Sequence, residues 1–354
     1  MSSIIHVVEA TATGTLSMVA LCANLQVSMG HRVSIIYSER KETPKDLYSI
    51  FNSDVALIKI DMGFKNFPLS LFKLSKEIDN LNPDVIHCHS SFAGFVGRLS
   101  SIGKEVKVFY SPHCIAFMRQ DISTLQRFLF RSFELIACMR PATYLACSQS
   151  EKVAIQSILP FVRVKLLENA VDLSEFRHIV TSKAASNHKK RIVTVGGIRP
   201  QKGPEEFAKI ARQCKSENSE FFWIGDGDNK DKELLLESGV IITGWMSKNE
   251  VICSLQESDL YISTSRWEGM PVSIIEAMAA KLPIIARDCS GNIDVISHQK
   301  NGYLFSETED AVSFVNDWHQ DSEELDELSK LGYKEVYDRF SIERFKRDLE
   351  DIYG

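Results

Sequence analysis

Short apolar runs of strand type alternate with stretches of helical periodicity along almost the whole chain, and this alternation constrains the fold more than any other property. IIHVVEA, HRVSIIYS, VALIKI, DVIHCHS, KVFYSPH and TYLACS follow one another in the first half, with helical sequence between them. RIVTVGGI, EFFWIGDG, VIITGW, DLYISTS and LPIIARD form a second series. A helix between consecutive strands carries the chain back to the starting edge, so the strands pair in parallel. The expected class is α/β, built on doubly wound parallel sheets. A chain of 354 residues exceeds one ordinary core. The polar, irregular HIVTSKAASNHKKR separates the two series. Two Rossmann-like domains facing across a cleft are therefore expected: 1–177, then a linker at 178–190, then 191–339. The C-terminal helix, about 340–354, is free to return to the first domain.

Composition narrows the function. At 44% hydrophobic and 25% charged the chain reads as an ordinary globular enzyme. No apolar run reaches the roughly 18 residues of a spanning helix. MSSIIHVVEA has neither a basic n-region nor a long apolar h-region, so a cytoplasmic protein without a signal peptide is expected. The eight cysteines contain no CxxC pair and read as small buried hydrophobes in a reducing compartment. The net charge of −6 argues against nucleic acid as a partner. The charge is uneven: residues 1–172 hold 18 Lys+Arg against 15 Asp+Glu, the remainder 23 against 32. Surface decoration explains this more simply than an anionic ligand or membrane facing the first half.

The stretch SRWEGMPVSIIEAMAAKLPIIARDCSG carries the densest chemistry. Glu268 lies in a loop, Pro271 opens a helix, and Glu276 lies within that helix. Proline suits a first helical position because its missing N–H would have no partner there. A helix N-terminus, where backbone N–H groups and the macrodipole favour an anion, thus lies between two carboxylates. Carboxylates for sugar hydroxyls beside an anion site are what a nucleotide-sugar needs. Capping of the helix by Glu276 is the plainer alternative. In GGIRPQKGPEEF, Gly197, Arg199 and Lys202 put close backbone approach and two cations at a sheet's carboxyl edge, although a solvated turn would read the same way. Asp226 and Asp228 in WIGDGDNKD form a D-x-D that invites Mg²⁺, but an ordinary turn around Gly225 is the commoner origin. His113 follows a strand in YSPHC, where an imidazole can reach a ligand. His87 and His89 share a face by alternation, and with no third ligand evident they read as a satisfied strand end. Gly14 sits in ATATGTL before a helix N-terminus. In ISTLQRFLFRSFELIACMRP, Phe128, Leu129, Phe133 and Ile136 recur at helical spacing among Arg127, Arg131 and Arg140. Core packing is the commoner cause of such a stripe, and peripheral contact with a membrane is the alternative.

Taken together these residues resemble the family 4 glycosyltransferases, retaining enzymes of the GT-B fold, over nearly the whole chain. The family's E-x7-E reads here Glu268-GMPVSII-Glu276, and GGIRPQKG is similar to its diphosphate loop. LLENAVDLSEF resembles the segment before the interdomain linker, with Ala170 in place of the usual glycine. YSPHC followed by FMRQDIS is similar to bacterial surface-polysaccharide and O-antigen transferases. The first loop departs from the pattern, since its only glycine is Gly14. The resemblance implies that Arg199 and Lys202 hold a donor diphosphate and that Glu276 takes the ribose hydroxyls. It implies that Glu268, with the backbone of Gly269 and Met270 beside Pro271, holds the donor sugar, and that His113 lies at the reacting face. It further implies a UDP-sugar donor, a polyprenyl-diphosphate-linked glycan acceptor at the inner face of the cell membrane, and no cofactor or metal. A sugar-nucleotide epimerase or a non-catalytic scaffold of the same fold would share much of this sequence.

Overall fold

The computed structural model describes residues 1–9, 11, 13–40, 43–63, 66–177, 189–214, 219–317 and 322–354. Almost all of the expected linker, 178–188, lies outside them. The chain forms two compact units, Met1–Glu168 with Leu349–Gly354, and Asn169–Asp348.

The first unit carries seven strands: β1 (Ser3–Val8), β2 (Arg32–Tyr37), β3 (Ala56–Lys59), β4 (Val85–His89), β5 (Lys107–Ser111), β6 (Thr143–Ala146) and β7 (Arg163–Leu166). Their order in the sheet is β3-β2-β1-β4-β5-β6-β7, with every pairing parallel. The helices of this half are α1 (Thr13–Ser28), α2 (Leu47–Ile50), α3 (Phe67–Leu81), α4 (Ser91–Ser100), α5 (Thr124–Ala137) and α6 (Gln149–Ile158). The second half adds β8 (Lys190–Val195), β9 (Ser219–Ile224), β10 (Ile241–Gly244), β11 (Leu260–Ser263), β12 (Ile284–Arg287) and β13 (Tyr303–Phe305). They pair in the order β10-β9-β8-β11-β12-β13, again in parallel. Its helices are α7 (Pro204–Gln213), α8 (Asn229–Glu237), α9 (Lys248–Gln256), α10 (Val272–Ala279), α11 (Asn292–Val295), α12 (Thr308–Asp317), α13 (Ser322–Arg339) and α14 (Ile342–Tyr353). The last residues of α14 belong to the first unit.

Both sheets share one winding. The chain moves outward from its first strand, then returns to the other side of it, so a switch in direction falls between β1 and β4 and again between β8 and β11. Loops part at such a point, and α/β proteins bind ligands there. The strands are Val- and Ile-rich because both faces are covered. Ile5, Ile86 and Tyr110 lie in the core of the first unit, and Ile192, Phe207 and Trp223 in that of the second.

Helix α5 corrects the expectation of a core-packed stripe. A capping box of Ser123 and Gln126 starts it. Its buried side is Glu134 and Ala137, while Phe128 is 64% exposed and Leu125 68%, with Leu129 and Ile136 also exposed. A carboxylate faces inward because Arg98 on α4 meets it, Nη2 to Oε2 at 2.8 Å. Tyr144 and Tyr110 donate hydroxyl hydrogens to its two oxygens at 2.9 and 3.1 Å. A buried charge requires such pairing, and the pairing turns the helix so that Leu125, Phe128, Leu129 and Ile136 face out while Phe133 is half-buried against Phe95.

Candidate active site

Three loops of the second unit converge at its switch point. After β8 the chain runs Gly196–Lys202 to α7, and after β11 it runs Thr264–Pro271 to α10. Hydrogen bonds and an ion pair zip these two loops together. Arg266 N donates to Gln201 O at 2.8 Å, and Thr264 Oγ1 to Lys202 O at 2.8 Å. Gln201 Nε2 donates to Trp267 O at 3.0 Å, and Lys202 Nζ pairs with Glu268 Oε1 at 2.7 Å. Gly203 sits at φ +65°, and a Cβ there would lie 2.2 Å from Thr264 O, so only glycine allows the loops to approach this closely. The third loop, after β12, accepts the Glu268 N–H at Ser290 O, 2.9 Å away.

Glu268 is buried, and its carboxylate takes Ser265 Oγ at 2.8 Å and Gln201 Nε2 at 3.1 Å besides Lys202. Its geometry is therefore fixed by its own unit. Sequence reasoning singled out Glu268 and Lys202, which the structure brings together, but not Gln201, whose amide bridges the two loops. Arg199 is exposed and forms no ion pair among the described residues, leaving its five donors available. Gly269 and Pro271 are buried, and Met270 is held by Asn169, whose Nδ2 donates to Met270 O at 2.9 Å. Pro271 stands at the N-cap of α10, one position before the expected first turn.

Glu276 lies in the middle of α10 and makes no capping bond. Its carboxylate has no hydrogen-bond partner among the described residues. Burial pushes it up to about 7, with Lys248 pulling down, Glu175 pushing up and Lys202 pulling down. Lys248 and Glu175 themselves form an ion pair, 2.6 Å long. Gly197 is buried, and Gly225 makes a close turn in which a Cβ would lie 2.1 Å from Gly196 O. The carboxylates of the D-x-D serve local structure. Asp226 accepts Gly227 N at 2.8 Å and pairs with Lys232 at 2.7 Å, and Asp228 caps α8 by accepting Lys230 N at 2.9 Å.

The first unit holds a second polar cluster. Gly14 lies in the first turn of α1 rather than in a loop. His113 follows β5 at φ +53°, a conformation costly for a side-chain-bearing residue. Glu151 on α6 pins the segment by accepting Cys114 N and Ile115 N, each at 2.8 Å. The pairing register sets His6 of β1 beside His87 of β4. His6 was not singled out by sequence, because only the strand order brings it to His87 and His89. His6, Cys22 and His87 offer atoms within 4.8 Å of one another. Each of these imidazole nitrogens already has a hydrogen-bond partner. Burial pushes the Cys22 thiol up to about 12, so the cluster reads as hydrogen-bonded.

Two sheets of one winding, with a Lys–Glu pair at the second switch point, define a GT-B protein. Comparison with known proteins agrees. The profile described as glycosyl transferases group 1 matches residues 176–335, and that of glycosyltransferase family 4 matches 14–175. The chain belongs to glycosyltransferase family 4 and is a glycosyltransferase. It is 27% identical over 311 residues to the Escherichia coli UDP-Gal:alpha-D-GlcNAc-diphosphoundecaprenol alpha-1,3-galactosyltransferase, covering 80% of this chain and 78% of that one. Sucrose-phosphate synthase from Thermosynechococcus elongatus has a similar structure, with TM-score 0.85 and 16% identity over 99% of this chain and 98% of that one. Anabaena HepE, solved with UDP and glucose, gives 0.82 and 16% over 100% and 99%.

Proposed function

We propose that the chain is a retaining hexosyltransferase that moves a sugar from UDP to a polyprenyl-diphosphate-linked glycan during surface-polysaccharide synthesis, O-antigen or capsule. The observation that carries this is the switch point of the second unit. A fixed Lys202–Glu268 pair stands there beside Arg199 and, on α10, the carboxylate of Glu276, neither of which has a side-chain partner among the described residues. The printed activity of the Escherichia coli relative and the UDP and glucose bound by HepE support the donor and acceptor classes. Arg199 and Lys202 hold the diphosphate, Glu276 the ribose hydroxyls, and Glu268 with the Gly269 and Met270 backbone the sugar. His113 is assigned to the sugar as well.

In the reaction, the bond from the anomeric carbon to the diphosphate oxygen breaks as the acceptor oxygen bonds to the same face. The acceptor proton passes to an oxygen of the departing diphosphate, whose charge the two cations stabilise. This scheme draws on no metal. An acceptor on a lipid carrier also gives the outward apolar face of α5 a use. Its exposed cation Arg131 lies among exposed Leu125, Phe128 and Leu129, and its only carboxylate, Glu134, is buried. That chemistry fits the anionic inner surface of a cell membrane, where we place the enzyme as a peripheral protein.

The test is transfer from a panel of UDP-hexoses to a polyprenyl-diphosphate saccharide, with the anomeric configuration of the product read by NMR. Retention is expected, and Lys202→Ala should lower kcat about 10²–10³-fold, as loss of one charge-stabilising donor does elsewhere. An inverted product, an isomerised donor without transfer, or an unimpaired Lys202→Ala enzyme would each refute the reading.

A further inference from the structure

His113 is the half-buried end of a buried chain of imidazoles. Its Nε2 lies 3.0 Å from His89 Nδ1, His89 Nε2 lies 2.9 Å from His6 Nδ1, and His6 Nε2 lies 2.7 Å from Gln26 Oε1. His6 and His89 are fully enclosed, as is Gln26 on α1, whereas His113 keeps part of its surface. The rings of His6 and His89, and of His89 and His113, are stacked. His87 stands to one side, bonded to Ser111 Oγ and to the Tyr353 hydroxyl instead.

Such a chain has a direction. A neutral imidazole carries one N–H and one lone pair, and an amide oxygen only accepts. Gln26 Oε1 therefore requires the proton of His6 on Nε2, which leaves His6 Nδ1 as an acceptor. His89 must then donate from Nε2 and accept at Nδ1, and His113 must donate from Nε2. All four rings stay neutral at pH 7, because burial holds His6 and His113 down to about 4 and pushes His87 and His89 well below the ordinary imidazole range.

We propose that Gln26, His6 and His89 are positioning residues for sugar transfer: their buried chain holds His113 in the Nε2–H form and leaves its Nδ1 as an acceptor for a hydroxyl of the donor sugar. The assignment rests on the reading of His113 given above. It explains why His6 and His89 stand at buried strand positions that Val or Ile would otherwise fill, since a buried polar group is costly unless it is hydrogen-bonded. It also gives the strained backbone at His113 a purpose. The ring is fixed in place by Glu151 acting on the loop, and in protonation by a residue three hydrogen bonds away. Turning the Gln26 amide end for end would reverse every bond and present an N–H at His113 instead, so one buried amide decides which hydroxyl lone pairs or protons the site accepts.

The test is a histidine-selective ¹⁵N correlation spectrum of the full chain at pH 7.5, with His113→Asn used to assign that ring. His113 should show a protonated Nε2 and a bare Nδ1. Gln26→Leu should leave this ring as a mixture of forms and lower kcat/KM for the donor about three- to tenfold, the worth of one neutral hydrogen bond. A wild-type His113 protonated at Nδ1, or a Gln26→Leu spectrum in which His113 is unchanged, overturns the proposal. The wild-type spectrum decides even where Gln26→Leu fails to fold. If the spectra behave as expected while His113→Ala transfers sugar at the wild-type rate, the chain stands and the assignment of His113 to the sugar falls.

Discussion

Replacing Glu276 by Gln should remove the pH dependence of donor binding. The Glu276 carboxylate is pushed up to about 7 because burial favours its neutral form and no hydrogen bond among the described residues offsets this. Ribose hydroxyls that donate to a carboxylate prefer it ionised, since a bound proton occupies an acceptor site and removes the charge. With a midpoint of about 7, roughly one molecule in eleven is ionised at pH 6 and roughly ten in eleven at pH 8. Binding restricted to the ionised form is then about tenfold weaker at pH 6 than at pH 8, or about 1.4 kcal/mol. The sign is fixed: affinity rises with pH through 7 and levels off above about 8, and at pH 7 each binding event releases about half a proton. The assay is titration calorimetry with a UDP-sugar in two buffers of different ionisation enthalpy. A nucleotide-sugar suits this assay better than UDP, because its diphosphate is esterified at both ends and loses no proton in this range. The Gln variant should bind with a flat profile, release no proton, and be weaker at pH 8 by about 1.5–3 kcal/mol, the worth of a hydrogen bond to a charged group. A wild-type affinity that is constant from pH 6 to 8, or an equal pH dependence in Glu276→Gln, would refute the reasoning.

Two further outcomes are expected. Glu134→Gln keeps the shape of the buried cluster but leaves Arg98 without its counter-charge, so the urea midpoint of the first unit should fall by the equivalent of about 3–5 kcal/mol; a shift below about 1 kcal/mol would show that the guanidinium finds other partners. Wild-type enzyme should sediment with vesicles of anionic lipid and lose this in the Leu125→Ser, Phe128→Ser double variant, each side chain contributing about 1.5–3 kcal/mol of apolar burial. Equal sedimentation of the two proteins would remove α5 from the membrane.

Which parts were legible in the sequence follows from the range of the interactions that form them. Strands buried on both faces announced themselves as Val- and Ile-rich runs. The missed strands, β7 and β13, are edge strands of four and three residues, and the RVKL of β7 alternates charge with apolar side chains. Glu268, Lys202 and Glu276 could be singled out because a short loop and a helix N-terminus are local events. Gln201 escaped because its partners lie 66 and 67 residues away. The stripe on α5 was visible as periodicity, yet its orientation depends on Arg98, 36 residues from Glu134. Periodicity locates an apolar face without saying what it faces. His6 became meaningful only through the register of β1 on β4, which no local pattern encodes.

Tyr353 reaches His87 across 266 positions of sequence, and with Leu349–Gly354 it completes the unit that begins at Met1. During synthesis, the interior of the amino-terminal sheet therefore stays unsealed until residues 349–354 have emerged. The second unit, Asn169–Asp348, emerges entirely within that interval. A nascent chain halted shortly before residue 349 would hold one unit whole and the other with a polar seam open to water, an opportunity for chaperones or proteases that ends when residues 349–354 dock.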